Sequence, residues 1–423
     1  MRKWLGGCII AALIAGGLAL GLAAGILIER EVLSASKPPA AATPAAAPNW
    51  ELVTEAWELI DRTYVDREAL QPITLTYGAI SGMVDSLGDT GHSRFLSPEM
   101  LKAEQEYNLG QYEGVGLQVE SSDGQTVVVA PLDGSPAQKA GIRAGEIILR
   151  VDGEDISGMP IDQVVGRILG PAGTKVTLSI LNPDTNQVRD VPLTRQRIAL
   201  VNVSWARVPG TNVAHLRLAA FSQGVTKDLQ AALRAIQSQQ LTGLVLDLRN
   251  NPGGILDEAV GTASQFLTGG DVVLVKDANG EISRLRVQRG GVATGIPMAV
   301  LVNGGTASAS EIVAGALQDA ARATLIGETT IGTGTVLQQF NLSDGSAMLL
   351  AIQEWLTPKG NAIWHQGLAP DVEVSLEPGT FMLLPRELES MSAEDFRASA
   401  DTQLLRAVEV VRERALSTET STD

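Results

Sequence analysis

The chain has 423 residues, a length that favours two or three domains over a single hydrophobic core. Its formal net charge of −16 and its lack of a basic stripe argue against a nucleic-acid partner. The single cysteine, Cys8, excludes an internal disulfide and a cysteine metal cluster, and the three histidines lie far apart in the sequence. We therefore expect neither a metal site nor a cofactor.

Residues 4–28 form an apolar run that follows two basic residues. A membrane-spanning helix needs about 20 residues, whereas the apolar core of a cleaved signal peptide has roughly 7–15. We therefore predict a transmembrane signal-anchor over residues 1–33, with cleavage near residues 34–36 as the alternative. Because Arg2 and Lys3 precede the apolar run, the N-terminus is predicted to lie inside and the rest of the chain on the extracytoplasmic side of the cell membrane. Residues 34–48, rich in alanine and proline, are expected to form a linker.

The next segment, residues 49–107, is predicted to be helical. Residues 49–64 have apolar side chains at helical spacing with Asn49 as a candidate cap, and residues 75–87 form a second helix. The turn-rich run DTGHSRFLSPE then leads into a third helix. These helices carry too little apolar surface to be stable alone, so we expect them to pack on the domains C-terminal to them.

Residues 108–195 change to short strands punctuated by glycine, with a D-G hairpin turn. The run AGIRAGEIILRVDG in this segment resembles a PDZ domain. The resemblance implies that an extended peptide adds to a sheet edge while loop N–H groups hold its C-terminal carboxylate. The residues at the carboxylate-binding loop position are Gly114, Val115, Gly116 and Leu117.

Residues 196–377 alternate apolar strands with helices, which predicts an α/β sheet covered by helices on both faces. Strands are expected at residues 213–218, 244–248 and 298–302, among others. Ligand sites in such sheets gather at the carboxyl ends of the strands. Two small-residue turns, NNPGG and NGGTASAS, come directly after two of these ends.

Ser308 lies in the second turn, where a helix is predicted to begin. The unpaired N–H groups and the positive dipole end of a helix N-terminus can stabilise a developing oxyanion. Our hypothesis is that Ser308 is a nucleophile. The alternative is that Ser308 or Ser310 only caps the helix, since serine is a common cap.

Three segments carry a more specific resemblance: DLRNNPGG, NGGTASASEIVAGALQDAARATLIGETTIGTGTV and WLTPKGNAIWHQGLAPDV. With the PDZ segment, they resemble the carboxyl-terminal processing (tail-specific) serine proteases over roughly Asn49 to Leu376. The resemblance implies an α/β protease core with an inserted PDZ domain, a mixed α+β chain, behind a small helical N-terminal piece. The transmembrane helix predicted from the apolar run precedes these parts. The resemblance also implies that Ser308 is the nucleophile, and that the N–H groups of Ala309 and of Gly253 or Gly254 form the oxyanion hole.

The sequence departs from this family at the general base. The family uses a Ser–Lys dyad, whose lysine stands between two glycines 25 residues after the serine. Here that position is Thr333, in Gly332-Thr333-Gly334. Threonine cannot act as a base near neutral pH, so the usual mechanism does not carry over.

His92 is the best candidate for a replacement base. Its context, DTGHS, resembles the histidine segment of the tricorn-like branch of the same superfamily, and an imidazole with a pKa near ~6.5 suits this role. The alternative is that His92 is only a turn residue. Glu354 and His365 are candidates for the residue that orients the imidazole. His215 is interpreted as a structural, solvent-facing residue of a strand.

The sequence thus predicts a membrane-anchored, extracytoplasmic serine endopeptidase whose substrates are proteins or peptides with exposed C-termini. The alternative, favoured by Thr333, is a catalytically inactive relative that binds protein C-termini through its PDZ segment. Residues 378–423 are predicted to form a C-terminal helical tail. A partial apolar stripe in this tail is compatible with packing on the core or with formation of a homo-oligomer.

Overall fold

The computed structural model describes residues 48–420 except 69, 90–92, 110, 123, 124, 133, 144, 160, 184, 200, 378, 379 and 381. The predicted membrane span at residues 4–28 lies outside the described residues, as does almost all of the predicted linker. Among the residues that are described, no helix is both long enough and apolar enough to cross a bilayer.

The chain divides into two compact units, Met1–Gln71 and Pro72–Asp423. The described part of the first unit contains helix α1 (Trp50–Thr63), which confirms the helix predicted at residues 49–64. Asn49 caps it as expected, because its side-chain oxygen accepts a hydrogen bond from the N–H of Leu52 at 3.2 Å.

The second unit contains the remaining helices and all of the strands in the described part of the chain. Its helices are α2 (Pro72–Asp85), α3 (Pro98–Asn108), α4 (Pro136–Lys139), α5 (Ile161–Ile168), α6 (Val225–Ser238), α7 (Leu256–Ala263), α8 (Ala309–Asp319), α9 (Pro385–Leu388), α10 (Ala393–Arg397) and α11 (Thr402–Thr420). The strands up to the exit of the inserted domain are β1 (Arg94–Leu96), β2 (Gln111–Gly114), β3 (Leu117–Ser122), β4 (Gln125–Pro131), β5 (Ile147–Val151), β6 (Glu154–Asp155), β7 (Lys175–Asn182), β8 (Gln187–Thr194) and β9 (Gln196–Ala199). The later strands are β10 (Val203–Arg207), β11 (Val213–Leu218), β12 (Gly243–Asp247), β13 (Asp271–Asp277), β14 (Ile282–Arg286), β15 (Met298–Val302), β16 (Thr324–Gly327), β17 (Thr335–Asn341), β18 (Ala347–Leu356) and β19 (Val372–Glu373).

Six strands form the central sheet in the order β10-β11-β12-β15-β16-β19, and all neighbours are parallel except β10 and β11. Helices α6, α7 and α8 cover one face, where Leu246 and Val300 are buried. Helices α9, α10 and α11 cover the other, where Val245 and Leu301 are buried. Burial on both faces explains why β12 and β15 are continuous apolar runs, and the predicted α/β arrangement is confirmed.

The C-terminal helix α11 packs on this sheet. Its residues Leu404, Val408 and Val411 are buried in one cluster with Val245 of β12 and Ile326 of β16. Of the two arrangements that the apolar stripe allowed, the structure shows the first, packing on the core.

A second sheet has the order β1-β18-β13-β14, with β17 paired to β18. Strand β1 attaches the helices that flank it to the core, since Arg94 pairs with Leu349 of β18. Tyr77 of α2 adds to this attachment: its ring lies 4.9 Å from that of Phe95, and its hydroxyl donates to Asp344 at 2.8 Å. From α2 onward, the helical segment therefore packs on the core that contains the central sheet, as expected.

The PDZ-like segment forms a separate sheet, β3-β4-β5-β7-β8, with β6 paired to β5. Its hydrophobic cluster, which includes Val115, Ile148, Val164 and Leu178, is distinct from the clusters of the core. Strands β2 and β9 pair with each other, so the segment enters and leaves through a two-stranded ribbon.

Candidate active site

The two small-residue turns meet at the carboxyl edge of the central sheet. Strands β12 and β15 are parallel neighbours, so the turns at their carboxyl ends start side by side. The Asn250 N–H donates to the Asn303 side-chain oxygen at 2.8 Å, and the Ala307 N–H donates to the Asn251 carbonyl at 3.0 Å. These bonds lock the NNPGG turn to the turn that carries Ser308.

Ser308 immediately precedes α8 and has a backbone conformation of φ 56°, ψ −120°. A non-glycine residue held in such a sparsely populated region costs about 1–3 kcal/mol. Among the described residues, its side chain makes no capping hydrogen bond, and the Glu311 N–H donates at 2.8 Å to the Ser308 carbonyl. The Ser310 hydroxyl donates to the Asn251 carbonyl at 3.0 Å. The helix therefore does not use the Ser308 hydroxyl as its cap.

Gly253 lies directly against Ser308. A Cβ at position 253 would lie 2.6 Å from the Ser308 Cβ and 2.8 Å from the Ala309 nitrogen, so only glycine fits there. The Gly253 N–H donates to the Asn251 side chain at 2.9 Å, whereas no described residue accepts from the N–H of Gly254 or Ala309. Of the three N–H groups predicted to bind an oxyanion, those of Gly254 and Ala309 have no acceptor among the described residues.

Thr333, at the position where the family has its lysine, touches Ser308. Its hydroxyl oxygen accepts the Ser308 N–H at 2.7 Å and donates its own proton to Glu311 Oε2 at 2.7 Å. The glycines on either side have positive φ and lie against residues 363–367, and a Cβ at Gly334 would overlap the backbone of Trp364. The loop therefore has little freedom to move Thr333 away from Ser308.

Glu311 is a residue of this site that was not predicted from the sequence. Its fully buried carboxylate accepts the Ser308 N–H at 2.8 Å, the Gly332 N–H at 2.7 Å and the Thr333 N–H at 3.1 Å. The Thr330 hydroxyl also donates to it, at 2.5 Å. The S-x-x-E spacing at the start of a helix, a capping-box pattern, is the signal that could have identified it.

His92 lies outside the described residues, so its predicted role as base stays a prediction. The next residue along the chain, Ser93, is fixed on β18, where its hydroxyl accepts the Ala351 N–H at 2.9 Å. Further along β18, Glu354 pairs in register with Thr335. The Glu354 carboxylate forms an ion pair with Lys276 at 3.0 Å.

His365 contributes its backbone to the site region. Its N–H donates to the Gly332 carbonyl at 2.9 Å. Its imidazole is exposed and stacks on the Trp364 indole, with ring centres 4.6 Å apart. The structure thus brings the His365 main chain, rather than its ring, into hydrogen-bond contact with the loop of Thr333.

The interpretation of His215 as solvent-facing is wrong. Both faces of the central sheet are covered, so His215 is fully buried, and its Nε2 lies 2.9 Å from Asp247 Oδ2. Asp247 is also bound by Arg249, at 2.7 Å. Burial alone would raise the pKa of Asp247, but the charge of Arg249 and hydrogen bonds from His215 and Arg249 hold it well below its usual range.

Arg249 links this buried hydrogen-bond network to the C-terminal segment. Its guanidinium is fully buried and, besides Asp247, binds Asp401 at 2.8 Å and Gln403 at 3.1 Å. Burial by itself would lower the pKa of Arg249, but the two carboxylates raise it. Because Asn250 comes directly after Arg249, this network fixes the start of the NNPGG turn.

The predicted carboxylate-binding loop lies at the open edge of the PDZ-like sheet, since β3 is an edge strand. The carbonyls of Val115 and Gly116 accept hydrogen bonds from Ala137 and Leu132, both at 2.9 Å. In a planar trans peptide the N–H points opposite to the carbonyl. The N–H groups of Gly116 and Leu117 therefore point away from those partners, as a carboxylate site requires.

Comparisons with known proteins agree with this arrangement. The pattern of peptidase family S41 matches residues 212–374, and that of the PDZ domain matches residues 127–182. The chain is 36% identical over 373 residues to a carboxyl-terminal-processing protease of Synechocystis sp., covering 83% of this chain and 86% of that protein. It is 34% identical over 328 residues to the carboxy-terminal processing protease CtpA of Bacillus subtilis, covering 77% and 69%. The solved structure of a photosystem II D1 C-terminal processing protease superposes with a TM-score of 0.61 at 32% identity, covering 81% of this chain and 97% of that one.

Proposed function

The chain belongs to peptidase family S41, the carboxyl-terminal processing serine proteases, and from this premise we propose that it cleaves proteins through an acyl-enzyme on Ser308. The observation that carries the proposal is the strained Ser308 backbone at the start of α8. That conformation, with Gly253 packed against the serine, leaves the hydroxyl free of a capping role. Strain of this kind is concentrated at active sites.

In the proposed reaction, Ser308 Oγ attacks the scissile carbonyl while the His92 imidazole takes the hydroxyl proton. The N–H groups of Ala309 and Gly254 hold the oxyanion, because neither has a protein acceptor in the described structure. The imidazolium then gives its proton to the leaving amine, and water hydrolyses the ester. Glu354 and His365 stay candidates for orienting the imidazole.

The experiment that tests the nucleophile is labelling of the purified full-length chain with a fluorophosphonate probe. We expect covalent modification of Ser308, loss of labelling in Ser308→Ala, and cleavage of an unfolded protein substrate by the wild type only. An unlabelled, inactive wild type would refute the proposal and leave the inactive C-terminus binder, the hypothesis that Thr333 favours.

The proposed base has its own test. With His92 as base, kcat/KM should rise with pH through the ordinary imidazole range, near pH ~6.5. His92→Ala should abolish this rise. His365→Ala tests the orienting role separately: its ring is exposed and stacked on Trp364, and loss of an orienting residue should lower kcat/KM while the rise with pH is kept. Full activity in His92→Ala would show that another group takes the proton.

We also propose that the PDZ domain binds the C-terminal carboxylate of the substrate at Gly114–Leu117. The outward N–H groups of Gly116 and Leu117 support this. A peptide with a free C-terminus should bind more tightly than the same peptide with a C-terminal amide, measured by fluorescence polarisation. Equal affinity for the two peptides would argue against this site.

Membrane anchoring through residues 4–28, with the protease on the extracytoplasmic side, is likewise a proposal that rests on the apolar run. Carbonate washing should leave the full-length chain in the membrane fraction and release a chain that starts at residue 48. Release of the full-length chain by carbonate would contradict the anchor. External protease added to intact cells should digest the region after residue 48, and protection would contradict the orientation.

A further inference from the structure

Thr333 occupies the position of the missing lysine, and its hydroxyl makes two hydrogen bonds of opposite sense. The single hydroxyl proton is donated to Glu311 Oε2 at 2.7 Å, and the oxygen accepts the Ser308 N–H at 2.7 Å. A lysine ammonium has three donors and no acceptor, so it could not take the Ser308 N–H. The replacement therefore changes the chemistry of this position.

From these contacts we infer that Thr333 is a positioning residue, whose hydroxyl ties the Ser308 backbone to the buried Glu311 carboxylate. The inference rests on the proposed role of Ser308 as nucleophile. It assigns Thr333 no proton transfer with the substrate, and it separates two tasks: Thr333 holds the serine, while the general base is supplied from elsewhere.

The link from Ser308 through Thr333 to Glu311 lies in buried surroundings. Glu311 is fully buried, and the neutral groups that donate to it come from Ser308 and from the segment 330–333. Only 9% of Thr333 is exposed, so water has little access to replace its hydroxyl. Without the hydroxyl, the Ser308 N–H keeps only its 2.8 Å bond to the carboxylate.

The hydrogen bond to Thr333 restrains a strained backbone at Ser308. Its φ of 56° is held against a conformational cost, so a lost restraint lets the residue relax toward commoner conformations. Relaxation at residue 308 would move both its Oγ and the adjoining Ala309 N–H. Misplacement of reacting groups by about 1 Å can cost about 100-fold in rate.

The test compares Thr333→Val with Thr333→Ser in the full-length chain. Valine keeps the shape and removes the hydroxyl, whereas serine keeps the hydroxyl and removes the methyl group. We expect Thr333→Val to lower kcat and the rate of fluorophosphonate labelling by about 10- to 100-fold with KM nearly unchanged, and Thr333→Ser to stay within about threefold of wild type. Equal labelling rates of wild type and the valine variant would overturn the inference.

A second readout does not need catalysis. Amide hydrogen exchange of the peptide that contains Ser308 should be faster in Thr333→Val than in Thr333→Ser, because the valine variant lacks one acceptor of the Ser308 N–H. If the wild type is not labelled at all, the proposed protease function fails, and the exchange rates alone decide the inference. Equal exchange in the two variants would overturn it; faster exchange in the valine variant would support the tie.

Discussion

Arg249→Met is the substitution whose consequence the structure specifies most sharply. The guanidinium lies fully buried between two carboxylates, with Asp247 at 2.7 Å and Asp401 at 2.8 Å, which are themselves 0% and 1% exposed. Methionine keeps an unbranched apolar stem but has no charge and no donor. The variant therefore leaves two buried carboxylates without their shared cation.

Breaking a buried ion pair by removing one partner costs about 3–5 kcal/mol, because a charge is left uncompensated. Two carboxylates are affected here, but His215 and Arg217 still contact Asp247. We therefore expect a loss of about 4–5 kcal/mol in the free energy of unfolding, against a typical total of about 5–15 kcal/mol.

Asp401→Asn is the matched control. It keeps the pair of Asp247 and Arg249. Its single amide oxygen can accept only one of the two N–H groups that the carboxylate accepts, that of Leu383 on Oδ2 at 2.9 Å or that of Leu404 on Oδ1 at 3.0 Å. Its expected cost is about 1–3 kcal/mol. Urea unfolding followed by tryptophan fluorescence gives the free energy of unfolding of each variant. The loss in the double variant, Arg249→Met with Asp401→Asn, should be about 1 kcal/mol smaller than the sum of the two single losses. An Arg249→Met variant that is no less stable than Asp401→Asn would refute this account of the buried charges.

Three further predictions concern pH dependence and glycine packing. The depressed pKa of Asp247 means that its contribution to stability is complete above the unfolded value, about pH 3.9, and is lost only as pH falls further. In Arg249→Met the lowering by Arg249 is lost, so burial, which raises this pKa, is opposed by His215 without Arg249. We therefore expect Asp247 to protonate at a higher pH in the variant than in the wild type, and the Tm deficit of the variant to shrink as pH falls from about 7 to about 4. Gly334→Ala should reduce fluorophosphonate labelling at least tenfold, since its methyl group overlaps the facing backbone, whereas Gly360→Ala, with positive φ but open space, should not. Gly243→Ala should lower the free energy of unfolding by about 1–3 kcal/mol, because its methyl group overlaps a valine of α11, while Gly269→Ala meets open space and should change it by less than about 0.5 kcal/mol.

Much of the fold was predictable because its signals are local. The apolar runs at residues 213–218 and 298–302 are strands with the predicted bounds. The turns after β12 and β15 were predicted to follow carboxyl ends of strands, where ligand sites gather, and the structure adds that these two strands are parallel neighbours. The absence of the lysine at position 333 was likewise visible in the sequence, since the glycines on either side mark the position.

The contacts inside the site were harder to predict because they join residues through space. Glu311 and Thr333 are 22 residues apart, and only the return of the loop against residues 363–367 brings the hydroxyl onto the carboxylate. From the sequence, two glycines were equal candidates for one oxyanion donor. In the structure the Gly253 N–H donates to the Asn251 side chain, which favours Gly254 as the proposed donor.

By itself, the sequence determined the family, the order of strands and helices, and the departure at Thr333, because periodicity and motifs depend on neighbours along the chain. Only the tertiary structure decided that His215 is buried, since alternation along a strand defines two faces but does not say that α11 covers the second. Only the tertiary structure shows the ion pair of Arg249 and Asp401, because these residues are 152 positions apart in the sequence. A buried guanidinium needs carboxylates within hydrogen-bond reach, and packing, rather than sequence proximity, supplies them.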